Sequence, residues 1–200
     1  MEITEIKQIG KSENYKIFLN NSFCCCLTLE TIVKNKLFKG LFISKEELEK
    51  LQFESEKITA FEKASNYLAK GLKTEFEIKK YLQSKGYFNE IVLYVCEKLK
   101  GYKYLDDHTY AQEYVRSYSS QKGKKALQFA LVQKGVDKQI IFNVLGDLNN
   151  NNACLEIGEK YLKNKEKNQK TKQSAYRYLL SKGFDYDEVS SVINKLFKGE

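Results

Sequence analysis

The chain reads as mainly α-helical: tandem three-helix repeats in an elongated array, with a small N-terminal β-hairpin module. Three observations predict this. No proline occurs in 200 residues, so no helix is interrupted from within. A Lys-Gly pair followed by an apolar residue recurs as Lys85-Gly86-Tyr87, Lys134-Gly135-Val136 and Lys182-Gly183-Phe184. Its glycines lie 49 and 48 residues apart, a period in the range of helical repeat arrays. The apolar positions around each pair also keep step. Leu82, Leu131 and Leu179 stand four residues before the glycines, and Val92, Ile141 and Val189 are followed by Cys96, Leu145 and Ile193, then Leu99, Leu148 and Leu196. Steps of four and three place such residues on one helix face.

Taken in order, residues 3–9 and 14–19 alternate apolar and polar, Asn20-Asn21 can take the positive φ of a tight turn, and Phe23–Leu27 returns. A β-hairpin or three-stranded meander follows from that pattern. Thr28 then opens a short helix containing Ile32, Val33 and Leu37, and Ser44 with Glu47 makes a capping box stapled by Ile43 and Leu48. Thr59 with Glu62, and Thr74 with Glu77, have the spacing of two further capping boxes. They are expected to start the first and second helices of repeat one, with Gly71 between them.

Each Lys-Gly closes a helix, because glycine suits the left-handed position and the apolar residue after it can fold back as in a Schellman motif. The next helix begins at once. Asp185 with Glu188 reads as a capping box stapled by Phe184 and Val189; Asp137, with Val136 and Ile141, and Asn89, with Phe88 and Leu93, are weaker versions. Asp106 is the expected N-cap of the first helix of repeat two, with Leu105 and Tyr110 as its staple. The helix carries Tyr110, Ala111, Tyr114 and Val115 on one face, and Lys122-Gly123-Lys124-Lys125 starts the next. Asn149–Asn152 is a polar break before repeat three, whose run from Lys160 to Lys172 predicts an exposed, mobile turn. The expected organisation is 1–57 as the N-terminal module, 58–101 as repeat one, 102–149 as repeat two and 150–200 as repeat three, stacked without long linkers.

The net charge of +8 is unevenly placed. Residues 1–59 carry nine basic and nine acidic side chains, whereas 116–150 carry six against two and 151–200 ten against seven. That asymmetry favours a polyanionic partner, nucleic acid or a nucleoprotein surface, with a solvated lysine-rich face as the alternative reading. The candidate contacts form two clusters: Arg116, Lys122, Lys124, Lys125 and Lys134 in the middle repeat, and Lys163, Lys165, Lys167, Lys170, Lys172 and Arg177 in the last. No apolar run approaches a membrane span of roughly 20 residues, and MEITEIKQIG lacks a signal peptide's apolar stretch, so a cytoplasmic location is expected; separately, the chain is expected to be a monomer.

Chemistry has few footholds. Asp106-Asp107-His108 is the one place where an acid pair meets the single histidine, but adjacent helical residues diverge and capping explains the acids. The five cysteines form no CxxC pair and read as small buried hydrophobes. No Walker loop, GxGxxG or HExxH occurs. Gly123 lacks the flanking pattern of a phosphate cradle and reads as a break between helices. Most tyrosines and phenylalanines recur at helical spacing and read as core. No catalytic, metal or cofactor site is expected.

Tyr104-Leu105-Asp106-Asp107 with Tyr110-Ala111, then Lys134-Gly135-Val136 and Ile140, resembles the signature of RecX, the bacterial regulator of the RecA recombinase. The stretch from Tyr178 to Val189 is similar to that family's C-terminal repeat, and the N-terminal hairpin with KGLFISKEELEKL to the extension of its low-GC Gram-positive members. The resemblance covers nearly the whole chain. It implies a non-enzymatic protein that lies in the groove of the RecA filament on single-stranded DNA and limits filament extension, ATP hydrolysis, strand exchange and LexA cleavage. Two departures stand out. Ser117-Tyr118-Ser119-Ser120 occupies the stretch where the family often has a second arginine, and Phe129-Ala130 or Ala130-Leu131 stands in place of a Glu-Leu pair. The competing expectation is a basic helical protein that binds DNA, including duplex DNA, without RecA; an inert repeat scaffold comes after it.

Overall fold

The computed structural model of the chain describes residues 1–146, 148–149 and 151–197. Asn150, within the expected polar break, and residues 198–200 of repeat three lie outside them. The chain forms two compact units, Met1–Leu72 with Ile78–Leu105, and Lys73–Glu77 with Asp106–Glu200.

The first unit opens with β1 (Ile3–Gln8), β2 (Asn14–Leu19) and β3 (Ser22–Thr28), an antiparallel meander in the order β1-β2-β3. Asn20 and Asn21, at φ 48° and 66°, make the tight turn with two positive φ values that suits the twist of a hairpin. Alternation puts Ile3, Ile17, Leu19, Cys25 and Leu27 on one face, where they form a core with Ile32, Leu37, Ile43 and Leu48. The expectation of five buried cysteines needs correction: Cys25, Cys96 and Cys154 are buried, but Cys24 and Cys26 are exposed, since residues two apart share the outer face of β3. Burial pushes the Cys25 thiol up to about 12.

Helix α1 (Leu29–Lys34) starts where Thr28 accepts from the Thr31 amide, but it stops short of Leu37, which joins the core from the following loop. Helix α2 (Lys45–Leu68) starts at the Ser44–Glu47 capping box, with both reciprocal bonds at 3.1 Å and Ile43 and Leu48 buried as the staple. The helix start expected at Thr59 does not exist. Helix α2 runs through that position and across residue 57, so the Glu62 amide is already bonded within the helix. The Thr59 hydroxyl instead donates to the Glu56 carbonyl. Thr74 does cap α3 (Glu75–Ser84), through bonds of 3.2 Å in both directions with Glu77. Helix α4 (Asn89–Gly101) has Phe88, not Asn89, at its N-cap, and no side chain caps it. Phe88 and Leu93 are both exposed, so no staple forms there.

The second unit continues with α5 (Asp107–Tyr118), α6 (Lys124–Gln133), α7 (Lys138–Gly146), α8 (Asn151–Leu162), α9 (Gln169–Ser181) and α10 (Tyr186–Phe197). Asp106 caps α5 by accepting from His108 and Thr109, and these bonds with the Thr109 hydroxyl hold its carboxyl below the ordinary range. Leu105, expected to staple it to Tyr110, is buried in the first unit's core, while Tyr110 belongs to the second's. Asp137 accepts from the Gln139 amide, and Glu188 accepts from the Asp185 amide, at the starts of α7 and α10.

All three Lys-Gly pairs close helices in the same way. Gly86, Gly135 and Gly183 have φ of 84°, 74° and 87°, and their amides reach back to Gln83, Val132 and Leu180. The amides of Tyr87, Val136 and Phe184 reach Leu82, Leu131 and Leu179. These are Schellman closures, and they explain the leucine four residues before each glycine. Its carbonyl takes the long bond, while its side chain, fully buried in all three cases, anchors that repeat's core. The helices thus gather around three separate apolar clusters, one for each repeat, in addition to the core under the sheet.

Candidate functional site

The eleven basic residues singled out by charge do not all stand free. Arg116 is exposed and pairs with Glu113 on its own helix at 2.6 Å. Lys122 lies against the rings of Tyr114 and Tyr118, with its ammonium 5.7 and 4.8 Å from their centroids. Lys124 Nζ reaches the Gly146 carbonyl at 3.5 Å. Lys125 pairs with Asp185 at 2.9 Å, and Lys134 with Glu77 at 2.6 Å.

The last two pairs lie within the second unit, each where the start of one helix meets a Lys-Gly turn further along the chain. At the first, the N-terminus of α3 meets the start of α5 and the Lys-Gly turn after α6. The Thr74 hydroxyl donates to the Lys134 carbonyl at 2.7 Å, and the Glu75 amide donates to Asp107 Oδ1 at 2.8 Å. Phe76 packs directly over Gly135. At the second, the N-terminus of α6 meets the Lys-Gly turn after α9. The Gly123 amide donates to Lys182 O at 2.9 Å, and the Lys125 amide to Gly183 O at 3.0 Å. Gly123 lies so close to Gly183 and Phe184 that a methyl group there would overlap their backbone atoms. At both places a later stretch of the second unit supplies acceptors for amides that the first turn of a helix leaves unpaired. Asp107 therefore serves the start of another helix as well as the dipole of its own. Gly123 is required by close approach, a role that its sequence neighbours do not reveal.

The hydrogen bond from Lys134 to Glu77 raises the lysine's pKa above 10.5, against the opposing effect of burial. A raised pKa in the folded state stabilises the fold below 10.5 and ceases to do so as pH rises past the folded value. Because the pair is partly exposed, Lys134→Met should cost no more than about 1 kcal/mol at neutral pH. The gap in urea midpoint between variant and wild type should narrow as pH rises above 10.5 and close once it passes the lysine's raised folded value.

The second cluster is more open. Helix α8 ends at Leu162 and Asn168 caps α9 by accepting from the Thr171 amide at 2.9 Å, so Lys163, Lys165 and Lys167 lie in the connection between the helices. These three, with Lys170 and Arg177, are exposed, whereas Lys172 is half-buried. Lys165 also covers the Tyr161 ring, and Lys172 approaches Phe197 at 5.9 Å. His108 is exposed at the start of α5. No group of three metal-ligating side chains occurs among the described residues, and no helix there is long and apolar enough to cross a membrane.

Comparison with known proteins gives the same three-part division of the helices. Residues 60–99, 106–145 and 151–193 match the first, second and third three-helix domains of RecX. The regulatory protein RecX of Bacillus licheniformis is 30% identical over 201 residues, covering 96% of this chain and 76% of its own length. That of Clostridium perfringens is 30% identical over 207 residues, covering 100% of this chain and 98% of its own. A crystal structure of a regulatory protein RecX has a similar fold, with a TM-score of 0.73 at 22% identity over 100% of this chain and 99% of that one. The structure of RecX from Lactobacillus salivarius gives 0.66 at 25% identity, covering 70% of this chain and 96% of that one.

Proposed function

Because the chain belongs to the RecX family of regulatory proteins, we propose that it regulates the RecA recombinase without being an enzyme itself. It binds the RecA filament on single-stranded DNA and limits filament extension, and with it ATP hydrolysis, strand exchange and coprotease activity. The match of all three helical repeats carries this reading. The excess of basic over acidic side chains in residues 116–200 supports a partner that is, or contains, a polyanion.

The exposed lysines between α8 and α9 are better suited to that contact than the central cluster. Lys125 and Lys134 are already paired with Asp185 and Glu77, so replacing them would mix a small change in stability with any change in binding. Lys163, Lys167 and Lys170 are exposed and meet a partner at little cost to the core. Reversing all three to glutamate should weaken co-sedimentation with preformed RecA–DNA filaments by roughly tenfold or more at low salt, a difference that shrinks as salt rises. Undiminished co-sedimentation of the triple variant would remove this tract from the interface.

A further inference from the structure

The repeats share a tyrosine on their first helix, Tyr67, Tyr114 and Tyr161, each 47 residues from the next. In repeats one and three it stacks on a second tyrosine five residues before the closing glycine. Tyr67 and Tyr81 are 4.4 Å apart at 16°, and Tyr161 and Tyr178 are 4.3 Å apart at 17°. The lysine before that glycine lies over the second ring, Lys85 at 5.5 Å and Lys182 at 5.2 Å. These stacks are closed within their repeats.

Repeat two departs from that arrangement. Ala130 occupies the position of Tyr81 and Tyr178, so no ring from α6 meets Tyr114. Lys134, the counterpart of Lys85 and Lys182, is turned to Glu77 instead. Tyr114 stacks along its own helix, 6.2 Å from Tyr110 at 20° and 4.6 Å from Tyr118 at 41°. The column begins at buried Tyr110 and ends at Tyr118, which is 38% exposed, with Lys122 beside the last two rings. A buried base holds the column in place, and its outermost ring, partly covered by the Lys122 ammonium, reaches solvent.

We propose that this column is a stacking platform for an unpaired nucleobase of single-stranded DNA, with Tyr118 as the ring it stacks on and Lys122 moving to the adjoining phosphate. The proposal rests on the reading that single-stranded DNA is one of this chain's partners. An aromatic face accepts any base, and a flanking cation follows the backbone, the combination used where single strands are bound without sequence preference. The Lys122 ammonium, 4.8 Å from the outermost ring, favours a nucleic acid, whose phosphates it can meet, over an aromatic side chain of another protein.

The test uses the full chain without RecA, and two labelled 15-residue oligonucleotides of equal charge, oligothymidylate and an abasic backbone. Wild type should bind oligothymidylate about tenfold more tightly than the abasic strand, the effect of one stacked base. Tyr118→Leu should lose that preference while keeping its affinity for the abasic strand, and Tyr118→Phe should retain it. Equal affinity of wild type for both strands, binding to neither, or a preference that survives in Tyr118→Leu would each overturn the proposal. So would normal oligonucleotide binding by Tyr118→Leu together with lost action on RecA, which would assign the ring to a protein contact. Failure of the RecA reading is a separate result, because it appears as wild type leaving RecA unaffected whatever its preference among oligonucleotides.

Discussion

Gly123→Ala should lower the stability of the second unit by about 2–3 kcal/mol, a large effect for one methyl group. The substitution introduces no backbone strain of its own, since Gly123 has φ −73° and ψ 166°, which any residue adopts. The cost is steric. The new methyl would overlap the Phe184 nitrogen and the Gly183 carbonyl, and these are backbone atoms that no rotamer change can clear. Moving them apart would also stretch the bonds from the Gly123 and Lys125 amides to Lys182 and Gly183. Gly101→Ala is the control, because nothing lies within 4 Å of the added carbon, and it should be neutral or slightly stabilising. Urea unfolding of the two variants at unchanged slope measures the difference. A midpoint for Gly123→Ala equal to that of wild type would mean that the joint between the second and third repeats does not contribute as described.

Phe184→Ala should cost still more, about 3–5 kcal/mol. Phe184 is 1% exposed and follows the glycine that closes α9. It packs in one cluster with Leu179 before that closure and Val189 in α10 after it. Removing the ring therefore opens a cavity where two helices and the closure between them meet. Phe184→Leu keeps most of the volume and should cost less than about 1.5 kcal/mol. Limited proteolysis provides a local readout: cleavage of Phe184→Ala should begin within residues 151–197, whereas similar losses for the alanine and leucine variants would argue against the cavity.

What could be foreseen from sequence was what depends on near neighbours. The closures at Gly86, Gly135 and Gly183 and the boxes at Ser44 and Thr74 bind residues three to five apart, so their residue types declare them. Thr59 and Glu62 show the limit of that signal. The same spacing inside a continuing helix has no unpaired amide to cap, and the fourteen residues of α2 before Thr59 decide the outcome. The candidate site was harder to read for a related reason. Lys134 and Lys125 meet Glu77 and Asp185, acids 57 and 60 residues distant in sequence, so a local count of charge made both lysines seem free. Gly123 was visible as a break between helices, but its need to be glycine comes from a turn that arrives in the next repeat. The tyrosine column has a detectable trace in sequence, the 47-residue spacing together with alanine where two repeats have tyrosine, but only the ring geometry distinguishes it from core.

The most direct measurement is single-stranded-DNA-dependent ATP hydrolysis by the cognate RecA, with this protein added from well below one molecule per RecA protomer. Regulation of the filament predicts loss of hydrolysis at those substoichiometric ratios, because one bound molecule limits the extension of many protomers. Unchanged hydrolysis at equimolar protein would contradict it.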